Sequence, residues 1–173
     1  VLAESSEPII FLEPSCWSMF HDEYRQMAVP GADAVAERCV LFEDFVGGII
    51  ESDRGGFPFR GPVGQVAVHA HCHAKALADA KRAIALLEKL PGASVKWLET
   101  GCCGMAGAFG MLSDHRELAL EVAKPLVAAI DGLSRETAVV ASGTSCRHQI
   151  GDLTDARPLH VAELLAKFLI KPS

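Results

Sequence analysis

"QVAVHAHCHAKALADAKRAIALLEKLPGASVKWLE", residues 65–99, decides the fold. Its opening "QVAVHA" (65–70) is a short, nearly continuous apolar run, the pattern of a strand covered on both faces. From Ala74 to Leu90 the apolar residues recur at helical spacing, which predicts one helix with Leu77, Ala80, Ile84 and Leu87 facing inward. Pro91-Gly92 ends it, and "SVKWLE" (94–99) reads as the next strand.

The alternation continues outward. Downstream lie a helix over about 113–130, opened by Ser113-Asp114 and liable to kink at Pro125, then a strand "TAVVAS" (137–142). A short helix "CRHQIGDL" (146–153), a brief strand "RPLH" (157–160) and a closing helix "VAELLAKFL" (161–169) follow. Upstream, "PIIFLEP" (8–14) is a strand, and "WSMFHDEYRQM" (17–27) a helix with Trp17, Phe20 and Tyr24 on one side. "ADAVAERCVLFEDFVGGII" (32–50) predicts one or two more helical pieces, with Val35, Cys39, Phe42 and Val46 along one face. The Gly/Pro stretch "SDRGGFPFRGPVG" (52–64) is the best internal boundary, dividing 1–56 from 57–173, two parts expected to pack as one unit. Such an order predicts an α/β fold, a mostly parallel sheet flanked by helices.

The chain has 173 residues, half of them hydrophobic, and a formal charge of −6. Scattered Lys and Arg make no phosphate-tracking face, which excludes a nucleic-acid partner. No apolar run reaches the ~18 residues of a membrane span. The start "VLAESSEP" is no signal peptide and lacks an initiator Met, pointing to a fragment or excised domain. Six cysteines in a chain this long, aliphatic and periodic fit reduced thiols in the cytoplasm, serving metal or redox chemistry rather than a disulfide framework.

Cys16, Cys72, Cys102, Cys103 and Cys146 each fall just past the carboxyl end of a predicted strand. Parallel strands bring those ends to one edge, where such folds bind ligands. Cys39, on an apolar stripe, reads instead as a small core residue. "ETGCCGMAGAFG" (99–110) sets two cysteines side by side, a spacing that forms a disulfide only with strain. Its glycines allow close backbone approach and unusual φ values. Thiolates on such loops suit an iron–sulfur cluster or zinc. Two other readings are dithiol–disulfide chemistry at the vicinal pair and, more weakly, an anion-binding nest.

His71 and His73 flank Cys72 on opposite sides of a chain read as extended, so at most one points into the site, and either can cap a turn. His148 can replace a thiolate or hydrogen-bond a cluster sulfide. His69 and His160 read as structural, His21 and His115 as helix-surface residues, and Arg147 as a cation able to balance the site's charge. "IIFLEPSCWSMF" (9–20) and "VVASGTSCRHQI" (139–150) share an apolar strand, a turn, Ser-Cys and a helix, a faint internal repeat.

The pieces "HCH" (71–73), "GCCGMAGAFG" (101–110) and "SGTSCRHQI" (142–150) resemble the cysteine-rich CCG domain, over most of residues 8–170. That domain occurs in heterodisulfide reductases and in iron–sulfur subunits of the glycolate oxidase type. The wording "LEPSC" and "CCGMAG" is most similar to the C-terminal part of fused FAD-linked D-2-hydroxyacid oxidase/iron–sulfur proteins. The resemblance implies tandem copies, each able to hold a 4Fe–4S cluster. It implies Cys72, Cys102, Cys103 and Cys146 as ligands, with Gly101, Gly104, His73 and His148 beside the cofactor. Cys16 would close a preceding copy, of which 1–56 is the remainder, and is a candidate further ligand.

The family's last Cys-x-x-Cys survives only as Cys146-Arg147-His148-Gln149, and Met19 stands in the equivalent place after Cys16. Four thiols remain, enough for a four-thiolate cluster or for zinc. The implied function is an iron–sulfur electron-transfer domain of a glycolate- or lactate-type oxidoreductase, with no catalytic base of its own. FAD would sit on another domain or subunit. A ferredoxin-like iron–sulfur domain and a peripheral membrane electron acceptor are the further expected partners. The alternatives are a zinc-binding docking module and a heterodisulfide-type redox module.

Overall fold

Strand β1 (Ile9–Phe11) opens the first part of the chain, after a 3-10 turn at Leu2–Glu4. The structure, a computed structural model, describes residues 2–52 and 58–170. Helix α1 (Pro14–Ser18) runs through a π turn at Met19–Glu23 into α2 (Tyr24–Gln26), and α3 (Ala32–Ala36), β2 (Cys39–Leu41) and α4 (Phe42–Ser52) follow. The second part holds β3 (Gly64–His69), α5 (Cys72–Leu77), α6 (Arg82–Leu87), β4 (Ala93–Trp97), α7 (Arg116–Asp131), β5 (Ala138–Ala141), α8 (Thr144–Leu153) and α9 (Val161–Phe168).

Among the described residues the named strands all pair in parallel, and one isolated antiparallel bridge joins Phe59 to Leu169. β1 pairs with β2, while β3 is the centre of a sheet ordered β4-β3-β5, extended by a parallel bridge between Val140 and Leu159. Val66, Ala67 and Val68 are at most 2% exposed, so β3 is covered on both faces, as its unbroken apolar run requires. On one face Val66 and Val68 meet Leu86, Leu87, Val161 and Leu164 from α6 and α9. On the other, Ala67 meets Leu126 and Ile130 of α7 and Ile150 of α8, together with Cys103 and Cys146. The period-2 alternation of one strand thus assigns these two thiols to a single face.

Two expectations are corrected, and the helix expected over about 113–130 is present. The helix expected over 74–90 is two helices, because Ala78 is extended and the Asp79 carboxylate takes the Lys81 N–H at 3.1 Å, which turns the chain. Leu77 is consequently exposed, while Leu86 and Leu87 fill the core. The helical stripe expected through Cys39 is interrupted by β2, whose Cys39-Val40-Leu41 pairs residue for residue with β1. Cys39 is nonetheless a buried core residue, as its apolar setting implies. Helix α7 runs through Pro125 to Asp131 and starts at Arg116, behind a 3-10 turn at Ser113–His115. The expected boundary at 52–64, with its division between 56 and 57, falls partly on residues 53–57, outside the described residues.

The repeat has a structural counterpart. Each half runs strand, Ser-Cys helix, parallel strand and helix: β1, α1, β2, α4 in one, and β5, α8, Leu159, α9 in the other. The halves grip each other reciprocally. Just past β1, the Leu12 carbonyl accepts from His160 Nε2 at the start of α9 (2.9 Å). Just past β5, the Ser142 hydroxyl donates to Glu43 in the first turn of α4. His160 also caps α9 in a capping box with Glu163, in line with its structural reading.

Candidate metal centre

Cys72 is the first residue of α5, directly after β3; Cys102 and Cys103 lie on the loop after β4; Cys146 sits in the first turn of α8, after β5. Three strand ends therefore deliver four thiols to one edge of the sheet. They lie near enough to influence one another's ionisation. Cys103 is brought down to about 6, chiefly by a hydrogen bond from the Cys146 thiol, against the opposing effect of burial. Cys146 is pushed far up by the same contact, by burial, and by the charges of Cys103, Cys72 and Cys102. Burial raises Cys72 as well, reinforced by Cys102 and Cys103. Sulfurs crowded so that one thiolate opposes the ionisation of the next form a site which a bound cation would relieve.

The backbone is shaped to this cluster. Gly104 has φ +91°, and a Cβ there would overlap the Ala119 carbonyl of α7, so only glycine lets the loop lie against that helix. The Gly104 N–H points at Cys102 Sγ (3.3 Å). A Cβ on Gly143 would overlap the His71 ring and press on Cys146 Sγ at 3.1 Å. Gly101 is exposed, and its carbonyl takes one hydrogen bond from Lys75 Nζ (2.9 Å) while Thr100 O takes another (2.8 Å). Lys75 thereby ties the Cys102 loop to the helix of Cys72. Nothing in the sequence pattern singles this lysine out, because one cation on a helix surface carries no spacing signal.

His71 and His73 do not lie on opposite sides, which corrects the expectation. The chain enters α5 at Cys72 instead of staying extended, so both rings turn to one side, with centroids 5.1 Å apart. His71 Nδ1 caps α5 by accepting the His73 N–H at 3.2 Å, one of the two roles its position allows. The ligand atoms of His71, Cys72 and His73 all lie within 4.8 Å of one another. His148 is exposed on α8. Cys16 is exposed on α1 and is not one of the four interacting thiols. Arg147 is a structural tie, its guanidinium donating to the Ala141 and Ser142 carbonyls at 2.9 and 2.6 Å.

The donor set fits a thiophilic metal. Soft sulfur donors on three elements suit iron–sulfur or zinc chemistry. The helices carrying Cys72 and Cys146 also present buried polar atoms without a partner among the described residues, His73 Nδ1 and Gln149 Nε2. Buried polar atoms are normally satisfied, so these two leave room for a further group, as do His69 Nε2 and His115 Nδ1 elsewhere.

A parallel-sheet α/β domain that collects remote cysteines on glycine-rich loops at one sheet edge is a cysteine-rich ligand-holding domain. Residues 66–151 match the family described as a cysteine-rich domain, CCG, and over that span the chain belongs to it. Over 162 residues it is 24% identical to a subunit of the anaerobic glycerol-3-phosphate dehydrogenase of Escherichia coli K12, covering 94% of this chain and 40% of that protein. It is 24% identical over 169 residues to D-2-hydroxyglutarate dehydrogenase of Pseudomonas putida KT2440, covering 96% of this chain and 16% of that one. Against lactate utilization protein A 1 of Bacillus anthracis the identity is 29% over 185 residues, covering 97% and 73%. The chain thus spans well under half the length of the first two relatives. No solved structure gives a significant match. No helix among the described residues is long and apolar enough to cross a membrane.

Proposed function

We propose that this chain is the iron–sulfur electron-transfer unit of an FAD-linked oxidoreductase acting on a small D-2-hydroxy acid of the glycolate or lactate type. The convergence of four thiols from three strand ends carries this reading. Cys72, Cys102, Cys103 and Cys146 hold a 4Fe–4S cluster, which supplies one-electron storage next to a flavin that takes electrons in pairs. The Gly104 N–H tempers the charge on Cys102, and Gly101 and Gly104 let the backbone approach closely. The relatives named as a dehydrogenase of hydroxyglutarate and as a lactate-utilization protein support a hydroxy acid, while the one named for glycerol phosphate supports only the wider class of oxidoreductase.

Residues 1–56 form the end of a preceding CCG-like half and 57–173 a CCG domain, a division supported by the reciprocal contacts of Leu12 with His160 and Ser142 with Glu43. Cys16 then belongs to the first half. The flavin, a ferredoxin-like iron–sulfur domain and a peripheral membrane acceptor lie on other domains or subunits, and reduced thiols suit the cytoplasm.

The test is iron, acid-labile sulfide and zinc analysis of protein prepared anaerobically in its full-length context. Brown protein with iron and sulfide is expected, with Cys72, Cys102, Cys103 and Cys146 shielded from alkylation while Cys16 reacts. Colourless protein with stoichiometric zinc replaces this reading by the structural zinc module.

A further inference from the structure

His73, the residue after Cys72, has its Nδ1 buried without a partner among the described residues. A buried polar atom left without a partner is unfavourable unless something occupies it. The neighbouring imidazole differs. His71 Nδ1 already receives the His73 N–H (3.2 Å), and His71 Nε2 faces the Glu13 carboxylate at 3.9 Å. His71 is spoken for by the fold; His73 is not.

We propose that His73, through Nδ1, is a direct ligand of the metal held by Cys72 and takes the place of one of the other three thiols, giving the centre a mixed sulfur–nitrogen set. The inference rests on the metal-centre reading above and adds to it what the sequence leaves open, since His73 there is as fit to cap a turn as to face the site. The geometry that carries it is the set of ligand atoms of His71, Cys72 and His73 within 4.8 Å, combined with the commitment of His71 elsewhere. Imidazole is a good ligand for both iron and zinc, so the proposal holds for either metal. Its chemical consequence follows from charge. A neutral nitrogen donor adds no negative charge to the centre, and nitrogen ligation raises the potential of an iron–sulfur centre relative to an all-thiolate one.

The test uses cobalt(II) and zinc, added anaerobically to the metal-free chain in its full-length context. X-ray absorption of the zinc form is expected to show a nitrogen scatterer among the sulfurs, and the cobalt(II) form a ligand-field spectrum of mixed sulfur–nitrogen type. His73→Ala should leave a sulfur-only shell and weaken zinc binding by about tenfold or more, and His73→Cys should restore affinity with an all-sulfur spectrum. The wild-type measurement stands even if a variant fails to fold. A sulfur-only first shell in the wild type, unchanged in His73→Ala, overturns this inference while the metal centre survives. Wild-type protein that takes up no metal overturns both.

Discussion

The Glu13 carboxylate accepts the backbone N–H of Thr144 at 2.6 Å, reaching a residue 131 positions along the chain. Thr144 is the first residue of α8, the helix that carries Cys146. Burial works to raise the Glu13 carboxyl, but hydrogen bonds from Thr144 and Ser15 outweigh it and hold it below the ordinary carboxylate range. An anion at the first N–H groups of a helix stabilises that helix end. Gly143, the residue before α8, has no side chain to cap it, so the cap comes from the other half. Glu13→Ala is expected to cost about 1 kcal/mol in urea unfolding, with weaker metal retention by chelator competition as α8 frays.

That cap illustrates what the sequence can disclose. The thiols are legible because each follows an apolar run, and parallel strands send such positions to one edge. Glu13 is not, because its partner is remote and an isolated carboxylate carries no spacing. Residues 39–41 form an apolar triple inside a helix-compatible pattern, ambiguous at that length. The pairing with β1 settles it as a strand. At 78–81 high helix propensity loses to Asp79, whose side chain offers the backbone a turn instead. His71 and His73 fall on opposite sides only of an extended chain, and the helix that begins at Cys72 removes that condition.

Gly104 is the most restrictive position in the loop. At φ +91° any other residue is strained, and a Cβ would overlap the Ala119 carbonyl in α7. That helix is anchored by Ala119, Ala123, Leu126 and Ile130, all buried, so it cannot move away cheaply. Gly104→Ala should cost about 2–4 kcal/mol by urea unfolding. Metal content should fall with it, since Cys103 precedes this turn. Gly107, with positive φ but open space around its Cβ, provides the control: Gly107→Ala should cost only the strain of φ, about 1–2 kcal/mol.

Lys75 joins two thiol-bearing elements through the Thr100 and Gly101 carbonyls. Lys75→Met keeps the aliphatic stem and removes both hydrogen bonds together with a positive charge held at the carbonyl of Gly101, the residue before Cys102. Loss of about 1–3 kcal/mol is expected. For the iron–sulfur centre proposed above, the separate signature is a lower reduction potential, because a cation on the Cys102 loop favours the electron-rich state. Lys75→Arg should recover the potential more fully than the stability, since its planar fork cannot reproduce the same two contacts.

Acid sensitivity should be dominated by His69, which is 1% exposed at the end of β3. Its protonation is held down to about 4 from the usual 6.5, first by burial and then by the charges of Lys75 and His71. Nδ1 meets Thr100 Oγ1 at 3.1 Å, and Nε2 has no partner among the described residues to receive a second proton's charge. The folded value is the lower one, so the unfolded chain binds the proton more readily. Stability is therefore whole above the usual imidazole range and is lost as pH falls from about 6.5 toward 4. Between pH 7.5 and pH 5 this single group should remove about 2 kcal/mol. His69→Gln can still hydrogen-bond Thr100 but cannot charge in this interval. Urea unfolding of the metal-free chain at both pH values should show that the variant lacks this loss, and equal pH dependence in the two proteins would remove His69 from the account.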